Sequence, residues 1–330
     1  GIFGGAASFD EFARQVVAST PGVEVWAIDR RANLLEDRSG VIASLQRNDP
    51  EIAYRYYVEG WGEPDGFQLL QAQDVPFLRD WGLEVHLRDL HRIVTSAREN
   101  APNLVLGGHS LGASLVSFYA AFDLGEDASP RYGYEYLDGL VLLDGGLGRT
   151  GGYGREDVGV SFGPIRFAPS VRELAEGRGT PYVDSIISPA YQIEREVIAV
   201  HAALRPDEPA PEGLSHLPIT NRALLGVRND DEYGPVPIFN ASLGQAENAE
   251  FDGNLGAVIL SGREGLRSRS VVGVAPGADL ITWAPGDPQR ERTDLDTFIR
   301  AWTLEETNFA EWYFPLRLAL DMTLLTLDLE

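Results

Sequence analysis

The sequence predicts an α/β fold, a doubly wound and mostly parallel sheet with a large, mainly helical insertion. Three observations carry this expectation. Apolar runs of strand length end at Asp29, just before Ser110 and at Asp144. Helix-period stretches separate them, and the order helix–strand–helix–strand–helix–strand calls for parallel strands joined by right-handed crossovers. After residue 150 this rhythm stops, and Pro- and Gly-rich segments follow until about residue 307. The expected division is therefore 1–150 as the core, 151–307 as the insertion and 308–330 as a helix returning to the core.

Composition narrows the chemistry. The 330 residues can hold one large domain or a core with a substantial insertion. A net charge of −23 and a pI near 4.5 repel phosphate backbones and anionic membrane surfaces, so no nucleic-acid partner is expected. No apolar run reaches the roughly 18 residues that a transmembrane helix needs. Cysteine is absent, which removes disulfides, thiol nucleophiles and thiolate metal ligands together. All 27 basic residues are arginine, which removes a Schiff-base lysine, a Ser–Lys dyad and a P-loop lysine. A serine nucleophile would have to be activated by histidine, and only His86, His91, His109, His201 and His216 exist.

Taken in order, Ser8 and Glu11 spell a capping box. Phe9, Phe12 and Val16 line one face of the helix that follows, until Thr20-Pro21-Gly22 stops it. VEVWAID at 23–29 reads as a buried parallel strand. Residues 30–82 are rich in aromatic side chains, with one helix expected near 41–57. The aromatics read first as packing, and their place after a strand's C-terminal end also suits the wall of a cleft. Leu83, Leu87, Leu90 and Val94 mark a crossover helix. His86 and His91, five apart on it, do not share a face and read as solvated or capping groups rather than metal ligands.

Residues 103–123, NLVLGGHSLGASLVSFYAAFD, read as a strand, a sharp turn carrying one serine, and a helix. Gly108 and Gly112 flank Ser110 at positions where strand and helix would approach too closely for side chains. LDGLVLLD at 137–144 is the next strand. Gly146–Gly151 then matches G-x-G-x-x-G, but no apolar-periodic helix follows to meet a pyrophosphate, so six glycines in 145–154 read as a hinge instead. Helical pieces are expected at about 170–177 and 190–204, and a short apolar run at 257–260. Asp294 caps a helix bearing Leu295, Phe298, Ile299 and Trp302. Asn308 and Glu311 open a longer one, with Pro315 as a local distortion.

Gly108-His109-Ser110-Leu111-Gly112 is the pattern G-x-S-x-G, and GHSLGA after a hydrophobic strand resembles the α/β-hydrolase superfamily, esterase- and lipase-like enzymes with a cap. The resemblance implies that Ser110 is the nucleophile and that the backbone N–H of Leu111 is one oxyanion donor. It further implies that Gly1 belongs to a His-Gly turn, so that Ile2 supplies the second donor. The insertion becomes a cap over an apolar pocket. The implied substrate is a small-molecule carboxylic ester, apolar or bulky, cleaved through an acyl-serine, with no cofactor and no metal. Amide, lactone or carbon–carbon bond hydrolysis, or a binding role without catalysis, stay open as alternatives.

The acid and base are less well placed. Asp144 is a candidate acid, its other reading being a buried, hydrogen-bonded strand-end aspartate. His216, and likewise His201, follow Ser110 in the chain order that the family uses, but both lie in the presumed cap. His109 reads as a packing group. The usual acid and histidine of the family follow strands that do not appear before Glu330. The resemblance thus implies an internal piece of a longer hydrolase, lacking the first strands and the last two, with the base outside it. Ester turnover by these 330 residues is expected to be negligible, and sheet edges or apolar surface are expected to be uncovered.

Overall fold

The structure is a computed structural model that describes residues 4–125, 130–145, 159–162, 165–184, 188–233, 241–252, 270–289, 291 and 293–328. Its elements run α1 (Asp10–Ser19), α2 (Ser39–Arg47), α3 (Glu51–Tyr54), α4 (Leu83–Asn100), β1 (Val105–His109), α5 (Leu111–Ala121), β2 (Gly139–Leu143), β3 (Val160–Phe162), β4 (Ile165–Ala168) and α6 (Val171–Ala175). Then follow α7 (Pro189–Leu204), α8 (Asn221–Asn229), β5 (Gln245–Glu247), β6 (Ala249–Asp252), β7 (Ser270–Val274), β8 (Thr282–Ala284), α9 (Leu295–Trp302) and α10 (Leu316–Asp328).

Two compact units emerge. The first comprises Gly1–Gly4, Leu70–Ser185 and Tyr313–Glu330, and the second Gly5–Leu69 and Ile186–Trp312. These bounds differ from the division at 150 and 307. Loss of the strand–helix rhythm reports topology, whereas packing partners decide a unit, and residues 5–69 find theirs among α7 and α9.

In the first unit, α4 forms where its apolar period predicts, burying Leu83, Leu87, Leu90 and Val94. No side chain of its own caps its start. Instead the Leu83 N–H donates to Asp321 Oδ2 of α10 at 2.9 Å, which places a carboxylate at the positive end of the helix. The helix expected from Asn308 onward begins only at Leu316. Pro315 thus precedes the helix rather than distorting it, because proline holds the residue before it extended. Phe314 is extended enough for its carbonyl to accept from the Val183 N–H at 3.2 Å.

β1 and β2 pair in parallel, His109 opposite Leu143, and α5 packs on β1. Leu106 and Gly108 are buried, but Val105 is 56% and Leu142 45% exposed, with Leu140 and Val141 exposed beside them. Among the described residues no third strand pairs with either one, and β3–β4, β5–β8 and β6–β7 are antiparallel pairs. Strands of a parallel sheet are ordinarily buried on both faces, so this pair is unusually open. Residues 23–29 form no strand and are largely exposed, Val23 and Trp26 among them. Among the described residues their apolar pattern has no neighbouring strand to take up its N–H and C=O groups.

The second unit is built on α7, which is buried along most of its length, including Ile193, Val197 and His201. The helix expected near 41–57 is interrupted. Asn48 ends α2 in the left-handed conformation at φ 53, and Asp49-Pro50 restarts the chain as α3. Most of the aromatics between 30 and 69 pack internally, Tyr57 lying 5.2 Å from Phe67 and 6.1 Å from Trp312. α1 buries no residue, and Ser8 makes no capping box, its hydroxyl donating to the Gly5 carbonyl instead. Asp294 does cap α9, accepting from the Thr297 N–H at 2.7 Å.

Among the described residues of this unit, the carboxylates of Glu196, Asp230 and Glu311 are buried and that of Glu36 is half-buried. Arg38 pairs with Glu196 at 3.0 Å, and Arg30 with Glu311, its Nε lying 2.8 Å from Oε2. Glu36 instead accepts from the Trp312 N–H at 2.7 Å and from the Asn308 amide. Burial pushes Glu36 well above its ordinary pKa, and the charges of Glu196 and Glu311 add to the effect. Burial also raises Glu196, against the pull of Arg38, and raises Asp230 to about 6.

A carboxyl raised in the folded state binds a proton that the unfolded chain has released. Its contribution is present below the unfolded value and is lost as pH climbs through the folded one. Asp294, held low by the Thr297 N–H, works oppositely and loses its contribution in acid. Between about pH 5 and 8 the raised carboxyls lower the urea midpoint, while His201, whose pKa burial lowers to about 4, raises it. In about 0.5 M salt, where surface repulsion is screened, Glu36→Gln is therefore expected to gain stability relative to the parent as pH rises over that interval. A difference between the two that does not change with pH contradicts the assignment.

Candidate active site at the Ser110 turn

Among the described residues, four that are not glycine have positive φ: Asn48, Ser110, Asp144 and Asn248. Asn and Asp tolerate the left-handed region, so three of the four are ordinary. Ser110 is the exception, at φ 53 and ψ −121, outside the left-handed well that those residues use. A conformation of this kind costs on the order of 1–3 kcal/mol and persists only where its surroundings impose it.

The surroundings are strand, turn and helix. Ser110 sits between the last residue of β1 and the first of α5, its N–H donating to the Leu143 carbonyl of β2 at 2.9 Å and its carbonyl accepting from the Ala113 N–H at 2.9 Å. A Cβ on Gly108 would fall 2.7 Å from the Ala113 nitrogen and nearer still to the Gly112 carbonyl. A Cβ on Gly145 would fall 2.9 Å from the Ser110 Cα. The turn is clamped on two sides by backbone that only glycine admits. Gly145 was not legible as part of the site, because its only signal is that it follows the strand's terminal aspartate by one residue.

Leu111 begins α5, so its N–H has no acceptor within the helix, and it takes none among the described residues. It is therefore available to a developing oxyanion beside Ser110. Ile2, the other expected donor, lies outside the described residues, as do Gly1 and the G-x-G-x-x-G stretch at 146–151.

Asp144 follows the last residue of β2 directly, at φ 44, and is exposed. The buried, hydrogen-bonded reading of this aspartate does not hold, since it accepts no hydrogen bond among the described residues. His109, expected to pack, is exposed as well, because alternation along β1 turns it to the side opposite the buried Gly108. Desolvation lowers the His109 pKa, and the Asp144 charge opposes that shift.

The Ser110 hydroxyl is half-buried and makes no hydrogen bond to a described residue of its own unit. Its unit contains His86, His91 and His109. His86 is buried, with Nδ1 2.8 Å from the Gly82 carbonyl, and His91 Nδ1 lies 3.0 Å from the Tyr119 hydroxyl. Neither is the solvated or capping group expected of it: His86 is buried, and His91 is half-buried against Tyr119 and Tyr136. His201 and His216 belong to the other unit. His216 is an exposed loop residue there. His201 is buried on α7 against Tyr54 at 6.0 Å, and burial lowers its pKa to about 4, far from the value that suits a general base at neutral pH.

Among the described residues no group of three or more His, Asp or Glu is placed to hold a metal, and no helix is long and apolar enough to cross a membrane. No family model, curated protein or solved structure matches the chain.

Proposed function

We propose that the protein is a serine hydrolase of the α/β-hydrolase kind, which cleaves a carboxylic ester through an acyl intermediate on Ser110. The observation that carries the reading is the backbone of Ser110, strained at the apex of a strand–turn–helix in which Gly108 and Gly145 leave room for nothing larger. Such strain is hard to account for as structure alone, since an asparagine or glycine in a relaxed turn would join the same elements.

In this reading the Ser110 hydroxyl attacks the ester carbonyl, and the alcohol leaves as the tetrahedral intermediate collapses to the acyl-serine. The Leu111 N–H stabilises the oxyanion, and water then releases the acid. Asp144 is the acid nearest in the topology, and no described histidine of the unit makes a hydrogen bond to the Ser110 hydroxyl; the proton that the serine gives up passes through a base to the leaving alcohol. The proposed substrate remains a small-molecule ester, and no cofactor is required.

Labelling tests the reading better than turnover, because one covalent event reports a reactive serine even where turnover is slow. A fluorophosphonate probe is expected to give a single adduct, located by peptide mass analysis at Ser110, and Ser110→Ala is expected to abolish it while leaving the circular dichroism spectrum unchanged. No adduct, or an adduct on Ser114 instead, would refute the assignment.

A further inference from the structure

The second unit contains a buried cation with no counter-ion among the described residues. Arg195, on α7, is only 7% exposed. Its guanidinium reaches the Asn229 side-chain oxygen and, at 3.5 Å, the Gln192 oxygen, both of them neutral. Its Nε is buried without a hydrogen-bond partner, and among the described residues no carboxylate pairs with it. The carboxylates beside it in sequence are engaged elsewhere, Glu194 with Arg228 at 3.0 Å and Glu196 with Arg38. Burial lowers the Arg195 pKa, Tyr191 opposes that shift and Arg228 adds to it.

A guanidinium cannot escape burial by losing its proton. An uncompensated buried charge is among the most costly features that a folded chain can carry. Cation–π contacts recover part of that cost, Arg195 Cζ lying 5.2 Å from the Tyr191 ring and 5.0 Å from the Trp302 ring. They supply no hydrogen-bond acceptor, and the Nε–H stays without one. We propose that Arg195 is the anchor of an anion site in the second unit, and that the ligand it takes is a monocarboxylate.

Charge and shape select the class. One uncompensated positive charge calls for one negative charge. The planar N–H fork of a guanidinium matches the two oxygens of a carboxylate in its own plane, while the aromatic rings of Tyr191 and Trp302 occupy space beside it. Asn229 and Gln192 position the guanidinium. The proposal is independent of Ser110 and of any hydrolytic activity.

The test uses the intact chain. Acetate and formate at about 20 mM, compared with chloride at equal ionic strength, are expected to raise the melting temperature saturably, by about 3 °C or more at ten times the dissociation constant. Arg195→Met is expected to abolish this shift and to be no less stable than the parent in carboxylate-free buffer, since an apolar side chain removes the buried charge. Arg88→Met, which alters an exposed arginine on α4, is expected to retain the shift.

If Arg195→Met does not fold, the Nε–H resonance of Arg195 in 15N-arginine-labelled protein decides the matter. Formate should move it saturably, with the same midpoint as the thermal shift. Absence of a carboxylate-specific shift, its persistence in Arg195→Met, or an unmoved Nε–H signal overturns the proposal. A response to phosphate or sulfate in place of acetate overturns the ligand class.

Discussion

Replacing Arg38 with methionine is expected to cost the fold about 3–5 kcal/mol, because it strands a buried carboxylate rather than merely deleting a contact. Arg38 Nε holds Glu196 at 3.0 Å, and its terminal nitrogens donate to the carbonyls of Leu304, Glu305 and Thr307 at 2.9, 3.3 and 2.7 Å. One side chain therefore neutralises a charge on α7 and satisfies three carbonyls just beyond the end of α9. Urea denaturation at about pH 8 measures the loss. It should shrink at about pH 5, where Glu196, already raised by burial, takes up a proton more readily. The double variant Arg38→Met with Glu196→Met should recover part of the loss, since it removes the orphaned carboxylate as well. A single-variant cost below about 1 kcal/mol would show that the pair is not the buried keystone its geometry indicates.

The second large effect sits at the serine turn, where two adjacent glycines should behave oppositely. Gly108→Ala drives a methyl group into the Gly112 carbonyl and the Ala113 nitrogen, which are backbone and cannot step aside. The expected cost is about 3 kcal/mol or more, or failure to fold. Gly107→Ala meets nothing closer than Val141, its Cβ and carbonyl both at 3.8 Å, and should stay within about 1 kcal/mol of the parent. Thermal or urea melts of the two variants side by side make the comparison. Equal stabilities would mean that β1 and α5 do not approach as closely as the Ser110 geometry requires.

What was legible in the sequence was chiefly local. α4, α7 and α9 follow from apolar period and caps, because an amphipathic helix satisfies its own backbone and needs only one face covered. The turn at Ser110 was legible for a similar reason, since glycine spacing reports a close approach between elements only a few residues apart. The run at 23–29 failed for the opposite reason. A strand depends on partners elsewhere in the chain, and an apolar pattern cannot supply them.

The expected helix start at Asn308 failed because both of its signalling side chains have distant partners. Asn308 reaches Glu36, and Glu311 pairs with Arg30, so what resembled a cap is a tertiary network. Arg195 could not have been singled out at all. It falls among other charged residues on α7, and only the three-dimensional arrangement leaves it without a carboxylate among the described residues.

The open β1–β2 pair also bears on how the molecule behaves in a crowded solution. Leu140, Val141 and Leu142 form a short window of high β-propensity, free of proline, exposed beside a strand edge that has no partner among the described residues. Such a window is a template for strand addition between molecules. Opposing it is the net charge of −23, which keeps copies apart over a distance set by salt, about 8 Å at physiological ionic strength. Colloidal stability then rests on electrostatic repulsion rather than on a protected sheet, and it weakens as pH nears 4.5, the point at which the charge vanishes.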